Sequence, residues 1–293
     1  MPASSNYTAT AKDGSVHLKH GRPADDLRFE FGENWEKFLN LVNEERIEAS
    51  REVLQSMLEL ESLEGTTFLD VGSGSGLMSL AAAQLGAEAI YSFDYDVLSV
   101  ACTKALKRRF LPECDGWTIT QGDCLNETFL SALPRYDIVY AWGVLHHTGD
   151  MWQALDNVIT LVKPGGLLYI AIYNDQGWMS RAWRRVKRFH CRGRLHRWMV
   201  IATFMPLLFL VALASDLLKG RSPLKRYRSY RARGMSVVHD WFDWLGGYPF
   251  EVAKPEEVFA FCRDRHFTLQ QLRTRGGKLG CNEFVFRCSI RTS

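Results

Sequence analysis

Paired cysteines, metal-ligand spacings, repeats and long apolar runs are all missing or scarce in this sequence, and each shortage removes a class of protein. The seven cysteines (Cys102, Cys114, Cys124, Cys191, Cys262, Cys281, Cys288) are odd in number, scattered and never spaced as C-x-x-C. That argues against a disulfide framework and against a zinc site, and suits reduced thiols packed as small hydrophobes in a cytosolic compartment. No other recognisable metal spacing is present, so no metal is expected. There is no internal repeat or low-complexity tract. The polar opening, residues 1–25, has no apolar h-region and reads as a loose tail, not a secretory signal. Trp198 to Ala214 is almost wholly apolar, yet it is interrupted by Pro206 and is shorter than the roughly 20 residues a membrane span needs. Basic residues on both sides of it give no orientation signal.

What is present describes a protein with a real core. The chain has 293 residues, 46% of them apolar and 12% aromatic, which leaves one elaborated domain or two open on length alone. The net charge of +3 is unevenly placed: residues 175–235 hold fifteen Lys or Arg against two Asp. Such a surface suits phosphate, lipid head groups or an anionic substrate.

From Thr67 to Asn174 short apolar runs alternate with helical patterns. Strands are expected at Thr67–Val71, Ala89–Phe93, Trp117–Gln121, Tyr136–Trp142 and Leu167–Ile172, with helices near Leu77–Leu85, Leu98–Arg109 and Met151–Leu161. Continuous apolar strands separated by helices indicate a parallel sheet covered on both faces. A helix over Pro255–Arg265 and strands at Thr268–Thr274 and Glu283–Ser289 follow, the last two able to pair antiparallel and complete the sheet. The divisions expected are a tail (1–25), an N-terminal helical lid (26–62), an α/β domain (63–174 and 249–293) and a basic and apolar helical cap inserted at 175–248.

The densest signal is Phe68-Leu-Asp70-Val-Gly72-Ser73-Gly74-Ser-Gly76-Leu77. An apolar strand ends in an acid, and the chain turns through three alternate glycines into a helix. Glycine permits the tight backbone and leaves no Cβ where a ligand must approach. A dinucleotide fingerprint, G-x-G-x-x-G, would need glycine where Leu77 stands. An acid before the first glycine suits a cationic amino-acid ligand better than a pyrophosphate, and S-adenosylmethionine (SAM) is favoured.

On these residues the chain resembles the class I SAM-dependent methyltransferase family, over Thr67–Asn174 with the terminal strand pair also in its expected place. The resemblance implies a doubly wound sheet of about seven strands, mostly parallel with one antiparallel strand, and SAM as cofactor with S-adenosylhomocysteine as product. It implies that Asp70, Gly72, Ser73, Gly74 and Gly76 hold the methionine end. Asp94, closing the second strand, matches the acid that accepts both ribose hydroxyls, as two carboxylate oxygens allow. Tyr95 is expected on the adenine, and Asp123 in Gln121-Gly-Asp123-Cys124 matches the position that takes the adenine amino group. Tyr136 to His147 resembles the fourth motif, and Val162-Lys-Pro164-Gly165-Gly166 the turn before the fifth strand.

Methyl transfer from a sulfonium is an in-line displacement, so the protein mainly positions its reactants. A hydroxyl acceptor also needs its proton removed. His147, just past the fourth strand, is the first candidate base, against a capping or packing histidine as the plainer alternative. Tyr173 and Asn174 end the fifth strand at the same crevice, and Trp142 either shields the sulfonium or packs in the core. His239-Asp240-Trp-Phe-Asp243-Trp-Leu-Gly-Gly-Tyr248 forms a second cluster, with His239 and Asp240 as alternative bases and Asp243 and Tyr248 as acceptor contacts; its alternative is an amphipathic helix end plus loop.

The apolar insert reads as a cap over the active site or as a helix lying in a membrane interface on anionic lipid. No nucleic-acid module is recognisable, and a nucleic-acid partner is not expected. The function these features favour is methyl transfer to a small-molecule or lipid-linked acceptor at oxygen, in the cytoplasm or peripherally on the inner face of a membrane. Two rivals stay open: an enzyme of this build that cyclises or cleaves SAM itself, and a membrane-attached protein that holds SAM without turnover.

Overall fold

A computed structural model describes residues 27–29, 31–220, 222, 237–276 and 278–289; the side chains at 33, 34, 36, 37, 237–240 and 243 are outside the description. The expected tail, 1–25, also lies outside it.

Seven strands form one sheet: β1 (Thr67–Val71), β2 (Ala89–Asp94), β3 (Trp117–Gln121), β4 (Tyr136–Trp142), β5 (Val162–Tyr173), β6 (Phe267–Arg273) and β7 (Cys281–Cys288). Their order across the sheet is β3-β2-β1-β4-β5-β7-β6. All neighbours run parallel except β7, which is antiparallel to both β5 and β6. The order reverses between β1 and β4, the switch point at whose carboxyl edge an open α/β sheet leaves a crevice. The fold is thus the doubly wound, mostly parallel seven-stranded sheet that the alternation of apolar runs implies.

The strands read as near-continuous apolar runs because both faces are covered. On one face Leu69, Val71, Val139, Ala141, Leu168 and Ile170 meet α6 (Met151–Ile159) and the helix Pro255–Arg263. On the other, Phe68, Ile138, Tyr140 and Tyr169 meet α2 (Glu44–Leu58) and α3 (Leu77–Gln84). Helix α4 (Val97–Phe110) flanks β2 and β3, and α5 (Glu127–Ser131) lies before β4. Local chemistry sets several starts: the side chains of Asn43, Asp96, Asn126 and Asp150 each accept a backbone N–H in the first turn of the helix they precede.

Two expectations need correction. Val162-Lys-Pro-Gly-Gly is not a turn before the fifth strand: β5 begins at Val162, and its register against β4 jumps from Tyr136↔Val162 to Ile138↔Leu167. The extra residues bulge out, and Lys163 reaches Asp137 across the bulge at 2.7 Å. Pro206, read as a break, sits inside one continuous helix, α8 (Arg194–Leu218). Proline removes one N–H and crowds the preceding carbonyl, but the apolar turns on both sides carry the helix past it.

The insert leaves the sheet at Tyr173 and returns beside it. It comprises α7 (Trp178–His190), α8 and α9 (Val237–Gly246), followed by α10 (Pro255–Arg263). Asp175 N–H donates to Ala253 O at 3.1 Å and Ala253 N–H to Tyr173 O at 3.0 Å. Entry and exit are thereby pinned at one point on the carboxyl edge.

Behind β1 runs a chain of polar side chains that sequence patterning gives no reason to expect. Trp117 Nε1–H donates to Ser92 Oγ at 2.8 Å, Ser92 pairs with Ser79 Oγ at 2.8 Å, and Ser79 donates to the Asp70 carboxylate. Each hydroxyl gives and takes one hydrogen bond, and the chain ends in an acceptor-only carboxylate. Ser79→Ala should leave buried Asp70 without this donor and cost about 1–3 kcal/mol. Urea unfolding at neutral pH checks this; an unchanged midpoint would show that the chain carries no stability.

Candidate active site

At the switch point the chain leaves β1 through a backbone that L side chains rarely adopt. Gly72 has φ +72° and Gly74 φ +55°. A Cβ on Gly72 would fall 2.4 Å from Val144 Cγ2, and one on Gly74 would fall 3.0 Å from the Trp35 indole. Both glycines are required by conformation and by contact.

The loop's amides are already engaged. Gly72 and Ser73 N–H both donate to Phe93 O (2.8 and 3.1 Å), Gly74 N–H donates to Asp94 Oδ2 (2.9 Å), and Gly76 N–H donates to Ser73 O (2.8 Å). A phosphate-cradling loop must present such N–H groups to its ligand. This one spends three of the four on the end of β2 and the Gly76 N–H on its own Ser73, which disfavours the dinucleotide alternative.

Two carboxylates flank the loop. Asp70 is fully buried and its pKa is pushed up to about 7, chiefly by burial, with Asp94 adding to the rise and the Ser79 hydrogen bond opposing it. Asp94 retains some exposure along the crevice, and burial of its carboxyl lifts it to about 6 against the opposing hydrogen bonds from Asp96 and Gly74 N–H. Asp94 is thus the acid of the pair that borders the crevice, and its carboxylate can accept from hydroxyl donors there.

Across the crevice lies an aromatic group. His147 sits in a short 3₁₀ turn after β4 (Leu145–His147), with its Nδ1 2.7 Å from Pro249 O. A carbonyl only accepts, so Nδ1 carries the proton and Nε2 the lone pair of the neutral ring. Burial lowers the pKa of His147 to about 3, with Lys187 and Arg28 adding to the shift. Its ring faces those of Phe31 (5.0 Å) and Tyr173 (5.5 Å), and Tyr173 also meets His146 (4.0 Å) and Phe250 (5.1 Å). The returning chain fixes this corner: Glu251 N–H donates to His146 O, while the Glu251 carboxylate accepts from Gly149 and Met151 N–H.

Residues 27–29 and 31–39 contact both halves. Arg28 donates to Thr148 O at 2.7 Å and lies over the Tyr95 ring at 5.2 Å. Phe29 N–H donates to Tyr248 O, and Gly32 N–H, opening α1 (Gly32–Leu39), donates to Asp96 Oδ2. Arg28, Phe31 and Ser79 are site neighbours that motif reading missed. Only their place before the first motif, or a lone serine in an alanine-rich helix, signals them.

Of the residues singled out from sequence, Asp70, Gly72, Ser73, Gly74, Gly76, Asp94 and Tyr95 gather around the glycine loop. Asp123, following β3, accepts Leu125 N–H at 2.9 Å through one carboxylate oxygen. Cys124 is buried among the core side chains, its thiol raised to about 12 by burial with Asp123 and Asp94 adding to the rise. Trp142 packs against the core on the α3 face of the sheet. Asn174 ties down the β6–β7 turn, its amide bonded to Lys278 O and Asn282 Nδ2. Tyr248 meets the Phe29 amide through its carbonyl, while the side chains of His239, Asp240 and Asp243 on α9 lie outside the description. Among the described residues no group of three His, Cys, Asp or Glu side chains gathers as a metal site.

A family model for a methyltransferase domain matches residues 42–212, more than half of the chain. Curated relatives include ubiquinone biosynthesis O-methyltransferases from Rhodopseudomonas palustris strain BisB18, 31% identical over 46% of this chain and 50% of that protein, and from Cereibacter sphaeroides, 32% identical over 38% and 42%. The chain spans about half the length or less of these relatives. Among solved structures, a magnesium protoporphyrin IX methyltransferase from Synechocystis with bound S-adenosylhomocysteine superposes with a TM-score of 0.51 at 15% identity, over 88% of this chain and 94% of that one. An O-methyltransferase family protein from Burkholderia thailandensis gives a TM-score of 0.50 at 13% identity, over 88% and 59%. The glycine bend whose Cβ positions are filled and the raised Asp94 carboxyl fit a sulfonium nucleoside. The chain belongs to the class I SAM-dependent methyltransferase family, and SAM is its cofactor.

The two acids and His147 give opposite pH signatures. Asp70 and Asp94 titrate higher in the fold than their ordinary 3.8, so the ligand-free fold binds more protons than the unfolded chain, and their contribution declines as pH rises from about 4 to about 7. His147 titrates below its ordinary 6.5, so its contribution is full above 6.5 and is lost as pH falls toward 3. Asp70→Asn keeps an acceptor for Ser79 and should flatten the decline between pH 4 and 7. Unfolding midpoints across that range, measured without SAM, decide it; an unaltered slope would refute the assignment.

Proposed function

We propose that this chain transfers the methyl group of SAM to a hydroxyl oxygen of a small aromatic acceptor, with His147 taking the proton. The observation that carries the reading is the fixed tautomer of His147: the Pro249 carbonyl holds its Nδ1–H, so the lone pair stays on Nε2. SAM supplies an electrophilic methyl on a sulfonium. The glycine loop and Asp70 would hold its methionine end, Asp94 its ribose hydroxyls, and Tyr95 and Asp123 its adenine. The rings of Phe31 and Tyr173 lie against His147, and Phe250 against Tyr173, so an acceptor that reaches Nε2 would meet aromatic faces. The curated relatives, named as O-methyltransferases of ubiquinone biosynthesis, favour oxygen and a phenolic class of acceptor.

A histidine with its pKa near 3 is a weak base toward a resting phenol. It is adequate for its task here. As the oxygen–carbon bond forms, the acceptor proton becomes strongly acidic, and Nε2 needs only to receive it. Before that, the same lone pair accepts the hydroxyl hydrogen bond and turns the oxygen toward the methyl, which is the positioning an in-line displacement requires.

Asp94→Asn should weaken SAM about 10–100-fold, the value of hydrogen bonds to a charged acceptor, as read by calorimetry. His147→Asn keeps an N–H for Pro249 but removes the base; kcat toward a phenolic acceptor should fall about 100-fold or more, with SAM affinity nearly unchanged. Equal turnover by that variant would remove His147 from the chemistry. The whole reading is tested by mass spectrometry of the protein with SAM alone and then with phenols. A methylated phenol plus S-adenosylhomocysteine supports it. Methylthioadenosine formed without an acceptor would point to cleavage or cyclisation of SAM instead.

A further inference from the structure

The insert carries a surface that neither methyl transfer nor the core uses. Helix α8 is 25 residues long. One stripe, Val200, Phe204, Ala212 and Asp216, recurs at multiples of four and faces inward, with Phe204 against Trp183 of α7 at 5.1 Å. Much of the remaining helix surface is apolar and open: Trp198 is 68% exposed, Leu207 52%, Leu210 59% and Leu218 89%. A contiguous exposed apolar surface of this kind has to be covered by something.

Charge identifies what covers it. On α7, which packs along α8, Arg181, Arg185 and Arg188 are exposed and spaced to share one face, and Arg192 and Arg194 follow in the link to α8. Lys219 is exposed at the far end, and six more arginines or lysines follow between 221 and 233 in sequence. Between the two helices runs a groove of about 410 Å³, lined by Val186, Phe189, Met199, Val200, Thr203 and Phe204, with Arg185 also bordering it. An apolar trough bordered by a guanidinium matches an acyl chain beneath an anionic head group, and tryptophan at the edge of such a surface suits the membrane–water boundary.

Length alone would let α8 cross a bilayer, since 25 residues at about 1.5 Å each exceed the ~30 Å hydrocarbon core. Its partner forbids that. The first half of the helix is packed on α7, His196 against Phe189 and Phe204 against Trp183, and the exposed arginines of α7 cannot enter the hydrocarbon core cheaply. We propose that α8 lies in the plane of an anionic bilayer surface, its outer side among the acyl chains and its basic neighbours on the head groups.

Flotation of the full chain with vesicles tests this without reference to any acceptor, so its outcome is separate from that of the methyl-transfer reading. The vesicles are phosphatidylcholine alone, or phosphatidylcholine with about one-third phosphatidylglycerol. The chain should float with the anionic vesicles and much less with the neutral ones. Replacing Leu207, Leu210, Val211 and Leu218 together by serine should reduce partitioning at least about tenfold, while SAM binding and far-UV circular dichroism stay unchanged. Arg181→Gln with Arg188→Gln should reduce the preference for anionic vesicles. Three results would overturn the proposal: no flotation of the native chain, equal flotation of the serine variant, or retention after alkaline carbonate extraction, which marks a spanning helix. A concentration-dependent dimer abolished by the serine changes, without flotation, would assign the surface to a second copy and equally overturn it.

Discussion

Everything at the carboxyl edge depends on where the glycine loop spends its backbone N–H groups. Four of them, at Gly72, Ser73, Gly74 and Gly76, are satisfied within the protein, three by the last two residues of β2. A buried N–H left unpaired is costly, so this arrangement fixes the loop before any ligand arrives. It also fixes Asp94, whose two carboxylate oxygens accept from Gly74 and Asp96 N–H. What the loop then offers a ligand is shape and closeness of backbone, with the Asp94 carboxylate beside it. A sulfonium with an amino-acid tail matches that offer, and a pyrophosphate does not.

The opposite wall is held by a segment far away in sequence. Residues 249–251 return from the insert and bond to residues 146, 147, 149 and 151 through backbone and side chain. The tautomer of His147 is therefore a property of the insert as much as of β4. Glu251 shows the same economy: burial raises its pKa, and the Gly149 and Met151 amides pull it back while opening α6. A methyltransferase sheet without this return would leave His147 free to rotate and to take either tautomer.

Much of this was legible in the chain. Strands β1, β3 and β4 fall on their sequence-derived limits: β1 and β4 are apolar runs closed by a strong turn, and the edge strand β3 alternates Trp117 and Ile119 with threonines. The helices shift by one or two residues at their ends, where fraying and caps decide. The errors have identifiable causes. Lys163-Pro-Gly-Gly carries turn chemistry, yet pairing with β4 and the Lys163–Asp137 ion pair draw it into a bulged strand. Pro206 signals a break by local rules, but one proline does not outweigh the apolar turns around it. Contacts between distant segments, such as Arg28 on Thr148 or Ser79 on Asp70, have no local pattern to find.

Lys187 shows how firmly the insert is joined to the sheet. Its side chain is fully buried, its ammonium donates to Trp244 O, and it lies 4.8 Å from the Phe250 ring, 4.9 Å from Trp244 and 5.8 Å from Tyr173. A buried ammonium is tolerated only where fixed dipoles and ring faces replace its water. These three rings belong to the end of β5, to α9 and to the returning segment. Moving α7 would strip the charge of all of them at once, so α7 cannot slide independently of Tyr173 and Phe250. The exposed arginines on its other side and the α8 helix packed along it are then carried on the same rigid body as the wall beside His147.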